Sequence, residues 1–402
     1  MRPFKSTIPI GEARELLRAG VTPIARTEVL PLAAAAGRIA AADVAATIFV
    51  PPFSRSAMDG YAVVAEDTLG ASRERPVRLR IIERVYTGST PAHRVTPGSC
   101  AEIATGAPLP EGADAVVMVE ETSRIDDGQV AVWAEAHPRQ NIGRKGADIS
   151  PGDLVVRRGD FLNPSRLGAI AAVGCPHVEV FAKPRVAILS TGNEVIEPGD
   201  PLEPGQIYDV NRFTLAAVAE ANGCVPVLRP PARDTLESLH QALDACEDAD
   251  IIIFSGGSSV GERDLLIDLV AARGAIVFHG IAVRPGKPTL FARIGEAPFF
   301  GMPGNPTSCL SNAYILLVPF LRATARLPLY APRTVTASLG KRIVSPANRH
   351  QFYTVRIEGS VALPAFKGSG DITSLSRADG YIEIPADEHT VEEGATVTVT
   401  LF

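Results

Sequence analysis

The sequence has few cysteines, a single tryptophan and no long apolar run. Its five cysteines (Cys100, Cys175, Cys224, Cys246 and Cys309) are odd in number and widely spaced, which argues against a disulfide framework and against a zinc ribbon. The seven histidines form no HxxxH pair. Any metal is therefore expected to take oxygen ligands, and a reducing cytoplasm is the expected compartment. No stretch reaches the ~18 consecutive apolar residues of a membrane helix, and Pro319 interrupts the candidate at 314–321. The opening Met1-Arg2-Pro3-Phe4-Lys5 leads into no apolar core with a small-residue cleavage site, so no secretory signal is expected.

An excess of one charge is also missing. The chain carries 39 Lys and Arg against 45 Asp and Glu, for a net charge of −6, with 46% hydrophobic and 21% charged residues. That balance excludes a disordered chain, a coiled coil and a basic nucleic-acid coat. At ~150 residues per domain, 402 residues allow two to four domains. What is abundant is turn chemistry. Glycine (35) and proline (33) together make about 17% of the chain against a usual ~12%. They follow no period, so they suggest shaped loops rather than collagen.

Hydrophobic patterning divides the chain. Residues 8–48 are Ala-rich and read as helical. From Val50 to Asn141, short alternating runs such as Val77-Arg-Leu-Arg-Ile-Ile82 and Ala115-Val-Val-Met-Val119 predict a β-rich insert. Residues 184–326 alternate between strand and helix patterns. Strands are expected at 186–189, 225–228, 250–254, 276–278 and 289–293. Helices are expected at 211–220 before Gly223, from Asp234, from about Asp264 to Gly274, and over 307–325. Continuous apolar strands alternating with helices define a doubly wound, mostly parallel sheet. Pro328 and Pro332 mark a linker, and residues 333–402 read as all-β.

In an open parallel sheet, ligands bind beyond the carboxyl ends of the strands. Three Gly-rich loops are expected there: Ser190-Thr-Gly-Asn-Glu194, Ser255-Gly-Gly-Ser-Ser-Val-Gly-Glu-Arg-Asp264 and Gly301-Met-Pro-Gly-Asn-Pro-Thr307. Glycines let backbone N–H groups approach an anion, and helix N-termini favour negative charge. Together the loops suggest a phosphate-bearing ligand; generic Gly-rich turns between strand and helix are the alternative. There is no GxxxxGK[ST] motif and no GxGxxG motif in this unit, so a P-loop motor and a nicotinamide dehydrogenase both fall away. Glu194, Asp234 and Asp264 supply hard oxygens suited to Mg²⁺, although Asp234 and Asp264 can each also be read as a helix N-cap. Arg284-Pro-Gly-Lys287-Pro holds two cations on a stiff loop suited to an oxyanion; an ordinary solvated basic turn is the alternative. The insert adds polar loops around Asp59 and Thr105, and the chain continues with Gly143-Arg-Lys-Gly-Ala-Asp-Ile149.

Together these motifs resemble the molybdopterin molybdenumtransferase (MoeA) family, to which the C-terminal region of gephyrin is related. The resemblance rests on Ser56-Ala-Met-Asp-Gly-Tyr-Ala62, Thr105-Gly-Ala-Pro108, Ser190-Thr-Gly-Asn-Glu194, Gly205-Gln-Ile-Tyr-Asp-Val-Asn211, Ser255-Gly-Gly-Ser-Ser-Val-Gly261, Pro285-Gly-Lys-Pro288 and Pro303-Gly-Asn-Pro306. It implies a multidomain α/β plus β architecture. An extended linker domain (1–48 and 144–183) and a β-rich insert (49–143) precede a molybdopterin-binding α/β domain (184–328) and a C-terminal β-barrel (329–402). It implies insertion of molybdate into adenylylated molybdopterin, with Mg²⁺-dependent release of AMP. It also implies a homodimer whose cleft lies between subunits, supplied by an upstream molybdopterin-adenylylating enzyme, with no nucleic acid and no membrane as partners. Alternatives from other classes are a molybdopterin adenylyltransferase and a non-catalytic scaffold of the same fold.

By the same resemblance, Asp59, Thr105, Asp148, Glu194, Asp234 and Asp264 are the catalytic candidates, with Glu194 and Asp264 at the metal. Substrate would be bound by Ser190, Thr191, Gly192, Ser255, Gly256, Gly257, Ser258, Ser259, Pro303, Gly304 and Asn305. Arg284 and Lys287 would hold molybdate or phosphate, with Arg349 and Ser369 as further candidates. The chain departs from the family pattern at Arg55, Ser258, Gly280 and Thr354.

Overall fold

The computed structural model describes residues 7–256, 265–345 and 348–402. The chain divides into two compact units. One comprises residues 30–36 and 42–178; the other gathers the N-terminal segment, 37–41 and everything from Glu179 onward.

The smaller unit is built on a six-stranded sheet in the spatial order Ala115–Met118, Gly60–Val63, Ser99–Ile103, Val77–Val85, Gln129–Val132, Thr122–Arg124. Alternation along its strands fills both faces. Tyr61, Val63, Leu79, Cys100 and Val117 pack on one side; Ala62, Val85, Ala101, Ile103 and Val116 pack on the other. Gly60 starts its strand where the backbone of Val117 leaves no room for a Cβ. Beside this sheet, the segments 50–56 and 142–149 run antiparallel, pairing Ile142 with Ser56 and Val50 with Ile149.

The larger unit contains the α/β sheet. Its order is Val225–Leu228, Arg185–Ser190, Ile251–Ser255, Ala297–Met302, Leu290–Ile294, Ala275–His279. The first four strands are parallel, and the last two add an antiparallel edge. The strands expected from apolar runs are all present. Ala297–Met302 is an additional strand, which the turn at Gly295 and Glu296 separates from its hairpin partner. Helices cover both faces. Ile188, Leu215, Phe291, Phe300 and Phe320 fill one side, and Leu189, Phe254, Leu269 and Phe299 the other. At about 1.5–3 kcal/mol for each fully buried large apolar side chain, these two layers hold the strand ends that carry the site.

The segment 8–48 departs from expectation. Only Ile10–Ala19 is helical; Thr27–Pro31 and Val44–Ala45 are strands and Leu32–Ala34 is a single 3₁₀ turn. Pro23, Pro31 and Gly37 break the helix pattern that the alanines favour, and helix propensity is a weak prior against such breakers. The helix expected over 307–325 is present as Pro306–Asn312, a π-helical turn Ala313–Leu317 and Val318–Thr324.

Beyond the linker, Thr334–Leu339, His350–Glu358, Val361–Pro364, Gly380–Ile384 and Thr396–Leu401 close into a barrel. Closure comes from the pairing of His350–Glu358 with both Val361–Pro364 and Gly380–Ile384. The short strand Val283–Arg284 joins the barrel's edge in parallel with His350 and Gln351. That pairing ties the basic loop to the barrel.

Candidate functional site

Strand register builds the site. Ser190 pairs with Ser255, and Ser255 with Met302, so three loops leave the sheet at one level. Thr191 N–H donates to the Ser255 carbonyl at 2.8 Å, and Gly256 N–H to the Met302 carbonyl at 3.1 Å. Gly256 takes φ of +102°, and a Cβ there would strike the Thr191 carbonyl. Only glycine lets these two loops meet so closely.

The loops enclose a cavity of about 940 Å³. Its lining includes Ser190, Thr191, Glu194, Asp234, Ser255, Gly256, Pro303, Gly304 and Asn305, all singled out from sequence. Gly192 adjoins it, with φ of +149° and Glu194's carboxylate where a Cβ would stand. Asn305 Nδ2 donates to Ser369 Oγ at 3.1 Å, so Ser369 stands at the rim. Gly257, Ser258, Ser259 and Asp264 lie outside the described residues.

Glu194 and Asp234 both line the cavity from neighbouring loops. Gly192 N–H donates to the Ala232 carbonyl, and Asp234 N–H to Asn193 Oδ1. Partial burial pushes Asp234's carboxyl above its ordinary range, and the charge of Glu194 adds to that rise. Asp234 is not the helix N-cap. Thr235 occupies that position, its hydroxyl accepting from Ser238 N–H at 3.2 Å, and the helix runs Leu236–Asp244. Asp234's carboxylate is thereby left to the cavity.

This pair fits a divalent cation, since Mg²⁺ takes one or two carboxylates with phosphate and water completing its shell. Among the described residues no cluster of three or more Asp, Glu, His or Cys side chains forms a closed metal cage.

The cavity floor is a buried polar network. Asp209 Oδ1 accepts from Ser190 Oγ (2.7 Å) and from Arg212 N–H (3.1 Å), and Arg212 Nε lies 3.2 Å from Asp209 Oδ2. Arg212 also reaches the Arg229 carbonyl and pairs with Glu197. Asn211 Nδ2 donates to Ser255 Oγ at 2.8 Å and to the Gly304 carbonyl at 2.7 Å. None of the three residues was assigned a role from sequence. Asp209 and Asn211 stand in the Gly205–Asn211 motif that carries the family resemblance, and Arg212 follows it directly. Cys309, 3.7 Å from Ser255 Oγ, is pushed up to about 12 by burial and stays a neutral thiol.

The basic loop adjoins through Pro288, which lines the cavity. Arg284 is exposed and Lys287 half-buried. Arg349 immediately precedes the strand that pairs with Arg284.

In the other unit, Thr105 N–H donates to Asp59 Oδ1 at 2.7 Å, so these two candidates form one local site. Val119 N–H holds the Asp59 carbonyl, and Thr87 Oγ1 the Thr105 carbonyl. Asp148 is exposed on the 142–149 segment, with its N–H bound to the Val50 carbonyl.

The fold and site define a class: a multidomain protein whose doubly wound domain carries a cavity at its strand ends, lined by carboxylates and adjoined by a basic loop. Family models cover nearly the whole chain in order: "MoeA N-terminal region (domain I and II)" over 8–174, "Probable molybdopterin binding domain" over 187–323 and "MoeA C-terminal region (domain IV)" over 336–402. The molybdopterin molybdenumtransferase of Haemophilus influenzae is 34% identical, covering 94% of each chain. Molybdopterin molybdenumtransferase 2 of Mycobacterium tuberculosis is 36% identical over 93% of this chain and 95% of its own. A solved molybdopterin biosynthesis MoeA protein from Pyrococcus horikoshii superposes with a TM-score of 0.86 at 40% identity, over 98% of this chain and 99% of that one. The chain belongs to the MoeA family of molybdopterin biosynthesis proteins.

Proposed function

We propose that this protein is a molybdopterin molybdenumtransferase, which inserts molybdate into adenylylated molybdopterin and releases AMP. The observation that carries the proposal is the convergence of three Gly- and Pro-rich loops on one cavity bearing the Glu194–Asp234 pair. It stands in a chain that its molybdenumtransferase relatives match almost end to end.

Both substrates are anions, so the net charge of −6 is overcome locally. Backbone N–H groups and the Thr191 hydroxyl, on loops that the Ser190 and Ser255 hydroxyls anchor, hold the nucleotide's phosphates. Arg284 and Lys287 hold molybdate beside them. Glu194 and Asp234 would hold a divalent cation such as Mg²⁺, with Asp264 as a further ligand, and that ion would supply charge neutralisation at the phosphoanhydride. Water cleaves the anhydride and AMP leaves, while the two dithiolene sulfurs bind molybdenum as one molybdate oxygen departs as water with the two thiol protons. The protein works as a homodimer, with Asp59, Thr105 and Asp148 of one subunit serving the cavity of its partner. The exposed Ile48, Phe49, Phe53 and Met58 around the Asp59 loop are an apolar surface of the kind an interface covers.

The test is to incubate the protein with adenylylated molybdopterin and omit molybdate or Mg²⁺ in turn. AMP is expected only in the complete mixture. An active substrate that yields no AMP in any mixture would overturn the proposal.

A further inference from the structure

The loop that carries Arg284 and Lys287 is fastened from behind by one side chain. Asn312 is fully buried at the end of helix Pro306–Asn312, whose first turn forms the cavity rim through Pro306 and Ser308. Its amide nitrogen donates to the Gly286 carbonyl at 2.7 Å and to Thr289 Oγ1 at 2.6 Å. Thr289 Oγ1, itself buried, donates to the same Gly286 carbonyl at 3.0 Å. Amide, hydroxyl and carbonyl thus close a triangle across the base of the basic loop. Gly286 has φ of +101°, and a Cβ there would collide with the Asn312 amide group. The glycine and the asparagine occupy one another's only available space. The helix widens into a π-turn directly after Asn312, and such turns recur at functional sites.

The consequence is directional. Two donors draw the Gly286 carbonyl inward. In a planar trans peptide the N–H points opposite to the C=O, so the Lys287 N–H is turned away from Asn312. Lys287 O is in turn held by the N–H groups of Ile281 and Thr289 at 2.9 and 3.0 Å. The peptide between the two cations therefore has one fixed orientation, set by a side chain that lies on the helix beginning at the cavity.

We infer that Asn312 is a positioning residue for oxyanion binding: it locks the Gly286–Lys287 peptide so that Arg284 and Lys287 grip molybdate beside the cavity. The inference rests on the proposed role of Arg284 and Lys287 in holding that anion. Asn312 acts through the loop and touches no substrate.

Steady-state kinetics with molybdate and the adenylylated pterin varied separately test it. Thr289→Val keeps the volume and removes one corner of the triangle; Asn312→Ala removes the amide. Molybdate KM is expected to rise about threefold or more in Thr289→Val and about tenfold or more in Asn312→Ala. The kcat at saturating molybdate and the KM for the pterin nucleotide should stay within about twofold of wild type. Gly286→Ala should reproduce the Asn312→Ala pattern. If Asn312→Ala does not fold, Thr289→Val decides. An unchanged molybdate KM in Thr289→Val, or equal changes in both KM values, would overturn the inference. The double variant Arg284→Ala/Lys287→Ala separates the two levels. If it leaves the molybdate KM unchanged, the role of the basic loop fails. If it raises that KM while Thr289→Val does not, the role of Asn312 fails.

Discussion

At the scale of single residues, the Asp234 carboxyl holds the most testable charge. Its pKa lies above the ordinary value because of partial burial and the charge of Glu194. A carboxyl raised on folding contributes stability below its ordinary pKa and loses that contribution as pH rises through the raised value. The metal-free protein should therefore lose stability across that acid window, and Glu194→Gln should flatten the loss. A cation bound between the two carboxylates favours the ionised pair and stabilises the folded state by mass action. Thermal unfolding at neutral pH should show Tm rising with Mg²⁺ in wild type and little or no rise in Glu194→Gln or Asp234→Asn. Thr235→Ala is the control. Losing that N-cap should cost about 1 kcal/mol while leaving the Mg²⁺ response and turnover intact. Equal Mg²⁺ responses in all variants would remove the metal from this pair.

At the scale of elements, the central strands of the α/β sheet were legible because they are short apolar runs buried on both faces, as Ile251–Ser255 and Arg185–Ser190 show. The loops after them were legible as Gly-rich turns. Three features were not. Alanines over 8–48 suggested helix where prolines and packing impose extended chain. Asp234 and Thr235 are adjacent, both chemically suited to cap a helix, and only the backbone path assigns the cap to Thr235. The floor network of Asp209, Asn211 and Arg212 is invisible to periodicity, because its partners Ser190, Ser255 and Gly304 come from other elements. Asn211 ties two of the three loops together. Asn211→Ala leaves buried acceptors without their donor, at about 1–3 kcal/mol. Tm should fall and the KM for the pterin nucleotide should rise about tenfold. Lowered stability with an unchanged KM would make Asn211 a packing residue alone.

At the scale of the whole molecule, the candidates divide between the two units: Asp59, Thr105 and Asp148 in one, Glu194, Asp234 and the basic loop in the other. If each cavity draws on both subunits of a dimer, two inactive variants should rescue one another. Asp59→Asn and Glu194→Gln, unfolded and refolded together, should regain roughly one quarter of wild-type activity, because half of the dimers are mixed and each carries one intact site. No recovery from a mixture shown to contain mixed dimers would place all the residues of a site on one chain.

Glycine and proline serve at this scale too: Gly192, Gly256, Gly286, Pro288, Pro303 and Gly304 stand in the loops that shape the cavity and its basic neighbour. The central claim is that this cavity couples metal insertion to loss of the nucleotide. The most direct measurement follows both products of one reaction, molybdenum bound to the released pterin and AMP freed. The account predicts equal amounts of the two at every time point, and neither when molybdate is omitted. AMP freed at full rate without molybdate, or molybdenum taken up without AMP, would contradict it.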